Sequence, residues 1–260
     1  MKTFNQFIFS LIFCLLIRAI IMASSLQKLT SVIHKASAKH TATVIFFHGL
    51  GDSGEGWAPV GEQLGEHLPH VKFIFPNAPS MPVTLNYGMK MPSWYDIKSL
   101  ANVDQEQDEE GMFKSRQQAM EIIREEVEQN GIPANRIVIG GFSQGCVMGL
   151  LLGLTSEYKF AGIVSLSGYM PLHGKIMNMA SDANRKTPIF WGHGDQDPVV
   201  RYEYGQQSVE LLKKHKFNVR FNTYRNMGHS SCPQELRDLL SFFKETIPET
   251  TNSEPVSAKA

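Results

Sequence analysis

Between residues 26 and 248, short continuous apolar runs alternate with longer stretches in which apolar positions recur every three or four residues. Residues 42–47 (ATVIFF) are a β-branched and aromatic run that ends at His48–Gly49, the pattern of a strand buried on both faces. Residues 71–75 (VKFIF) form a second run, stopped by Pro76, and 136–140 (RIVIG), 162–166 (GIVSL), 188–191 (PIFW) and 219–224 (VRFNTY) are further short strands. Residues 113–130 put Phe113, Met120, Ile123 and Val127 on one helical face and stop at Gly131. Further helical stretches lie near 144–155, 203–215 and 232–246. Strands alternating with helices predict an α/β fold, a mostly parallel central sheet with helices on both faces. Ligands of such sheets sit beyond the carboxyl ends of the strands, so the segments just after the strands are where chemistry is expected.

The two ends break this rhythm. Residues 7–17 (FIFSLIFCLLI) are almost wholly apolar, follow Lys2 and precede Arg18, with small residues at Ala23–Ser25. This is the pattern of a signal-peptide core or signal anchor, although Arg18 leaves it shorter than the roughly 20 residues a spanning helix needs. A further reading places the working start at Met22. The polar end carries Pro248 and Pro255 and shows no periodicity, as expected of a loose tail. The expected organisation is an apolar extension over 1–25, one folded domain over 26–248 and a flexible tail over 249–260.

Composition narrows the function classes. Twenty-five Lys and Arg balance 25 Asp and Glu, with a pI near 7.1, so there is no basic field to attract nucleic acid. Apolar residues make up 42% of the chain, enough for a globular core and against extensive disorder. Cys14, Cys146 and Cys232 are too scattered for a disulfide framework or a zinc site. They lean toward a reducing, cytoplasmic compartment, while the apolar residues 7–21 favour a secretory or membrane-anchored one.

The chemistry centres on Gly141–Phe142–Ser143–Gln144–Gly145, a G-x-S-x-G sequence. It follows a predicted strand and opens an apolar helix, the context a nucleophile elbow requires. A serine hydroxyl needs a base, and the base needs a carboxylate. In the order Ser, Asp or Glu, then His, the histidines left are His215, within a basic helix end, and His229, on a loop between the last strand and the last helix. Position favours His229. Strand 188–191 leads into Asp195 and Asp197; Asp195 directly follows Gly194 and reads as a turn-former, whereas Asp197 lies further along the loop and is favoured as the acid. His193 with both aspartates makes only a poor metal set. For the oxyanion, the amide of Gln144 follows the nucleophile, and a second donor is expected at Leu50 in the glycine-rich loop 48–54. That loop lacks the lysine of a phosphate-binding loop. Leu85, Met91 and Trp94 lie in an irregular apolar stretch, 81–95, that could line an acyl groove.

Together HGLGDSG (48–54), Pro76–Pro79, PVTLN (82–86), MPSWYD (91–96), GFSQG (141–145), HGDQDPVV (193–200) and GHSSC (228–232) resemble the acyl-protein thioesterase/lysophospholipase family of small carboxylesterases. The resemblance covers about 40–246, in order. It implies an α/β-hydrolase fold without a large cap domain and with no cofactor. It also implies activity on fatty-acyl thioesters of S-palmitoylated proteins, on lysophospholipids or on small esters, with peripheral membrane contact as an accompanying expectation. Carried over by position, it makes Ser143, Asp197 and His229 the triad and Leu50 and Gln144 the oxyanion donors. Two positions depart from the family pattern: Cys146 stands where glycine is usual, and Gly168–Tyr169 replaces a bulkier pair. A general short-chain carboxylesterase, or a ligand receptor on a hydrolase fold, are the competing functions.

Overall fold

A computed structural model describes residues 27–250 except 102 and 104–106. The apolar extension and the tail beyond Thr250 lie outside the described residues. Seven strands form one sheet: β1 (Ser31–His34), β2 (Ala42–Phe47), β3 (Val71–Pro76), β6 (Ile137–Phe142), β7 (Gly162–Leu166), β8 (Ile189–Gly194) and β9 (Val219–Tyr224). Their spatial order is β1-β3-β2-β6-β7-β8-β9. Only β1 runs antiparallel, against β3; every other pair is parallel. A two-stranded hairpin of β4 (Ser80–Val83) and β5 (Met89–Pro92) stands apart from it.

Helices α1 (Gly54–Gly65), α2 (Glu109–Arg124), α3 (Gln144–Thr155), α4 (Ile176–Met179), α5 (Tyr202–Lys214) and α6 (Pro233–Thr246) cover the sheet. Alternation along β2 sets the two layers. Val44 and Phe46 pack with Trp57 and Leu64 of α1 and with Phe242 and Phe243 of α6. Ile45 and Phe47 pack on the opposite face with α2, α3 and Leu212 of α5. The central strands β2 and β7 are buried along their whole length, as their unbroken apolar sequences predict. The expected helix over 113–130 is α2, begun four residues earlier and continued by a π turn at Glu125–Gln129. Asp108 caps α2 by accepting from the Gly111 amide at 3.0 Å, and Glu109 and Glu110 sit in its first turn, where negative charge favours a helix start.

From β2 the chain crosses outward to β3, yet β6 pairs with β2 on its other side. The carboxyl ends of β2 and β6 therefore flank a topological switch point, where doubly wound sheets leave a crevice. Loop 48–53 follows β2 and Ser143 follows β6.

Candidate active site

Ser143 occupies the single residue between β6 and α3 with φ 56° and ψ −119°, a conformation that is strained for a residue with a side chain. Its neighbours make the turn possible. A Cβ on Gly145 would lie 2.0 Å from the Phe47 carbonyl oxygen, and one on Gly141 would lie 2.4 Å from the Gly145 backbone. Only glycine lets α3 start this close to β2 and β6. The Ser143 amide donates to Leu166 O at 2.8 Å, fixing the elbow to β7.

His229, on the loop between β9 and α6, brings its Nε2 to 2.9 Å from Ser143 Oγ and its Nδ1 to 2.7 Å from Asp197 Oδ2. A carboxylate only accepts, so Nδ1 carries the proton and Nε2 is left to accept from the serine hydroxyl. Asp197 follows β8 as expected, and its Oδ1 accepts from the amides of Val199 and Val200 at 2.9 Å each. Burial opposes its charge. Hydrogen bonding to His193 and His229, the charge of His229 and the Val199 amide outweigh burial and hold the carboxyl well below the usual carboxylate range. Asp195 takes the other role: its Oδ1 accepts from the Asn226 amide at 2.7 Å, tying the acid's loop to the histidine's.

The two expected oxyanion donors come from the residue after the serine and from loop 48–53. Among the described residues no hydrogen bond takes the Gln144 or Leu50 amide N–H. Gln144 opens α3, and its buried side chain is fastened to the segment before α2. It donates to Ser93 Oγ at 2.9 Å and Tyr95 O at 2.8 Å, and accepts from the Trp94 amide at 3.0 Å. The loop carrying Leu50 touches the elbow, since a Cβ on Gly49 would meet Ser143 Cβ at 3.4 Å. Backbone N–H groups held in this way can stabilise an oxyanion without reorganising.

The expected groove residues divide. Leu85 and Met91 are half-buried, and the Met91 sulfur lies 3.9 Å from where a Gly51 Cβ would be, beside loop 48–53. Trp94 departs from the expectation: it is 1% exposed, its indole N–H donates to His48 O at 2.9 Å, and its ring packs edge-on against Phe47. It supports the loop from beneath. Its burial follows from the Phe47 contact, which an irregular stretch of sequence does not reveal.

Sequence reasoning missed the parts played by His48 and His193. His193 is fully buried, and its Nε2–H donates to Val200 O at 2.8 Å, clamping the ends of the Asp197 loop. The signal was a His-Gly pair closing a strand, at 48–49 and again at 193–194. Among the described residues no group of three or more His, Cys, Asp or Glu is placed to hold a metal ion. The two departures from the family pattern turn out to be neighbours: a Cβ on Gly168 would lie 2.3 Å from Cys146 Sγ. The buried thiol fills space that the glycine leaves.

Comparison with known proteins agrees with this geometry. Residues 29–247 match the family model described as phospholipase/carboxylesterase. The chain is 48% identical over 236 residues to acyl-protein thioesterase 1 of Cryptococcus neoformans, covering 84% of this chain and 99% of that one. It is 49% identical over 218 residues to acyl-protein thioesterase 1 of Yarrowia lipolytica, covering 82% and 96%. The crystal structure of Zea mays acyl-protein thioesterase 2 superposes with a TM-score of 0.75 at 30% identity, covering 84% and 99%. An α/β-hydrolase sheet, a strained serine elbow and a match that spans the described domain place the chain in the phospholipase/carboxylesterase family, as a serine hydrolase.

Proposed function

We propose that the chain hydrolyses fatty-acyl thioesters of S-acylated proteins, and related lysophospholipid esters, through an acyl-enzyme on Ser143. The observation that carries this reading is the hydrogen-bonded line from Ser143 Oγ through His229 to Asp197, 2.9 and 2.7 Å. Ser143 attacks the acyl carbonyl as His229 Nε2 takes its proton. Asp197 orients the ring and stabilises the imidazolium, and the Leu50 and Gln144 amides hold the tetrahedral oxyanion. His229 returns the proton to the departing thiolate or alkoxide. Water, deprotonated by the same imidazole, then attacks the acyl-enzyme and releases the fatty acid.

The substrate class rests on relatives named acyl-protein thioesterase, matched over nearly their whole length. Met91, half-buried beside loop 48–53, and the half-buried Leu85 offer apolar surface for an acyl chain. The proposed end of the hydrolase unit near 248 is supported by the Ile247 carbonyl, which accepts from His70 at 2.8 Å, and the Pro248 carbonyl, which accepts from Arg136 at 2.8 Å. Cys146 and Cys232 are unpaired, in keeping with a reducing compartment. Among the described residues no helix is long and apolar enough to cross a membrane.

Rates on acetyl, octanoyl and palmitoyl thioesters, with a palmitoylated peptide beside them, test the substrate. kcat/KM is expected to rise with chain length. A maximum at acetyl with no release from the peptide identifies a general short-chain carboxylesterase instead. Multiple turnovers per enzyme are expected, and a single turnover with retained product points to a receptor.

A further inference from the structure

The Gly49–Leu50 peptide carries one of the two oxyanion donors in the reading above, and the side chain next to it decides which way that donor points. His48 is 1% exposed and is the first residue of the glycine-rich loop, directly after β2. Its Nε2 lies 3.1 Å from the Ala78 amide nitrogen, and its Nδ1 lies 2.7 Å from the Gly49 carbonyl oxygen. These partners settle the ring's protonation. An amide N–H only donates, so Nε2 must be the bare, accepting nitrogen; a carbonyl only accepts, so Nδ1 must carry the proton. The peptide that follows is trans and planar, which sets the Gly49 carbonyl and the Leu50 N–H on opposite sides of one plane. The Asp52 amide also donates to Gly49 O, at 3.3 Å.

We propose that His48 is a positioning residue for catalysis: its Nδ1–H pins the Gly49 carbonyl and thereby holds the Leu50 N–H toward the oxyanion. The surroundings keep the ring itself from turning. Trp94 lies against it with ring centroids 5.1 Å apart and donates to the His48 carbonyl. The Gly51 amide donates to Pro92 O at 2.9 Å, anchoring the far side of the loop to β5. Without the Nδ1–H, the Gly49 carbonyl keeps only the longer Asp52 bond, and the Gly49–Leu50 peptide gains freedom to rotate. The inference rests on the assignment of Leu50 as an oxyanion donor.

An oxyanion contact exists fully only in the transition state, so its loss lowers kcat and leaves KM in place. Removing one such donor outright costs about 10²–10³ in kcat; misdirecting it is expected to cost about 10- to 100-fold. Two substitutions separate the ring's two nitrogens. His48→Asn sets an amide N–H near the Nδ1 position and keeps the donor to Gly49. His48→Gln sets an amide near the Nε2 position and keeps a partner for Ala78 only. With a p-nitrophenyl ester, His48→Gln is expected to lower kcat at least tenfold with KM within about twofold, and His48→Asn to recover most of that loss. Equal losses in both variants, or an unchanged kcat in His48→Gln, overturn the proposal. If either variant fails to fold, the wild-type protein decides: two-dimensional ¹⁵N–¹H spectra of its imidazoles must show His48 as the Nδ1–H tautomer, and the Nε2–H tautomer refutes it. A Ser143→Ala enzyme that keeps full activity would instead defeat the underlying hydrolase reading, whatever His48 does.

Discussion

At the level of single residues, the site depends as much on what is missing as on what is present. Ser143 can hold its positive φ next to β2 because positions 141 and 145 have no Cβ. The same economy explains Cys146 and Gly168, each of which is unusual alone. The thiol is fully buried, and burial pushes it up to about 12, so it behaves as a small apolar filler. Gly168→Ala is expected to lower Tm by several degrees, since forcing a methyl into packed space costs about 1–3 kcal/mol and each kcal/mol moves Tm by about 2–4 °C at this chain length. Adding Cys146→Gly to that variant should recover part of the loss, beyond the sum of the single changes. Strictly additive Tm shifts in the double variant would show that the two positions do not share the space.

Elements differ in how plainly the sequence announces them. Strands β2, β3, β6, β7 and β8 are visible because burial on both faces leaves continuous apolar runs, the edge strand β9 through its β-branched and aromatic residues, α2, α5 and α6 because their apolar spacing survives, and α3 as a helix buried on every side. Helix α1 was not expected: Gly54, Gly56, Gly61, Gly65 and Pro59 all lie within it, residues that lower helix propensity. Its glycines answer to packing, as a Cβ on Gly61 would lie 2.6 Å from the Phe75 ring. Strand β1 is a four-residue edge with mixed burial, and β4–β5 is a small hairpin rich in Met and Pro. Neither carries a clean period. Ser143, Asp197 and His229 could be read from order and from position after strands; His48 and His193 left only the trace of a His-Gly pair, and the support from Trp94 depends on a hydrogen bond to backbone 46 residues away, which no local pattern encodes.

Helix α6 also carries a titrating group. Glu235 is fully buried beneath Gly192, whose Cβ would lie 2.2 Å from the carboxylate, and among the described residues neither carboxyl oxygen has a hydrogen-bond partner. Burial, with a smaller push from Asp238, raises its carboxyl to about 8. The folded protein therefore keeps this proton to higher pH than the unfolded chain, so stability falls as pH rises from the ordinary carboxylate range to about 8 and levels off above it. Glu235→Gln, uncharged and of the same shape, should match the wild-type Tm near pH 5 and exceed it by several degrees at pH 9. Parallel Tm profiles across that range would contradict the assignment. Asp197 works in the opposite sense. Its depressed pKa gives stability that is fully present above the usual carboxylate range and is lost as pH falls toward its folded value.

Across the whole molecule, one sheet gathers the pieces from four places in the sequence. The ends of β2, β6, β8 and β9 deliver loop 48–53, Ser143, Asp197 and His229 to one edge. The chain's formal charge is zero, which suits a substrate held by its acyl chain rather than by charge. In this mechanism a fatty-acyl group passes through Ser143. Rapid-quench mass spectrometry of the protein mixed with a palmitoyl thioester tests it most directly. The expected result is a palmitoyl ester on the peptide containing Ser143, formed before free fatty acid accumulates and absent from Ser143→Ala, which has lost hydrolysis. Release of fatty acid at the wild-type rate by Ser143→Ala, or turnover with the adduct on another residue, would contradict it.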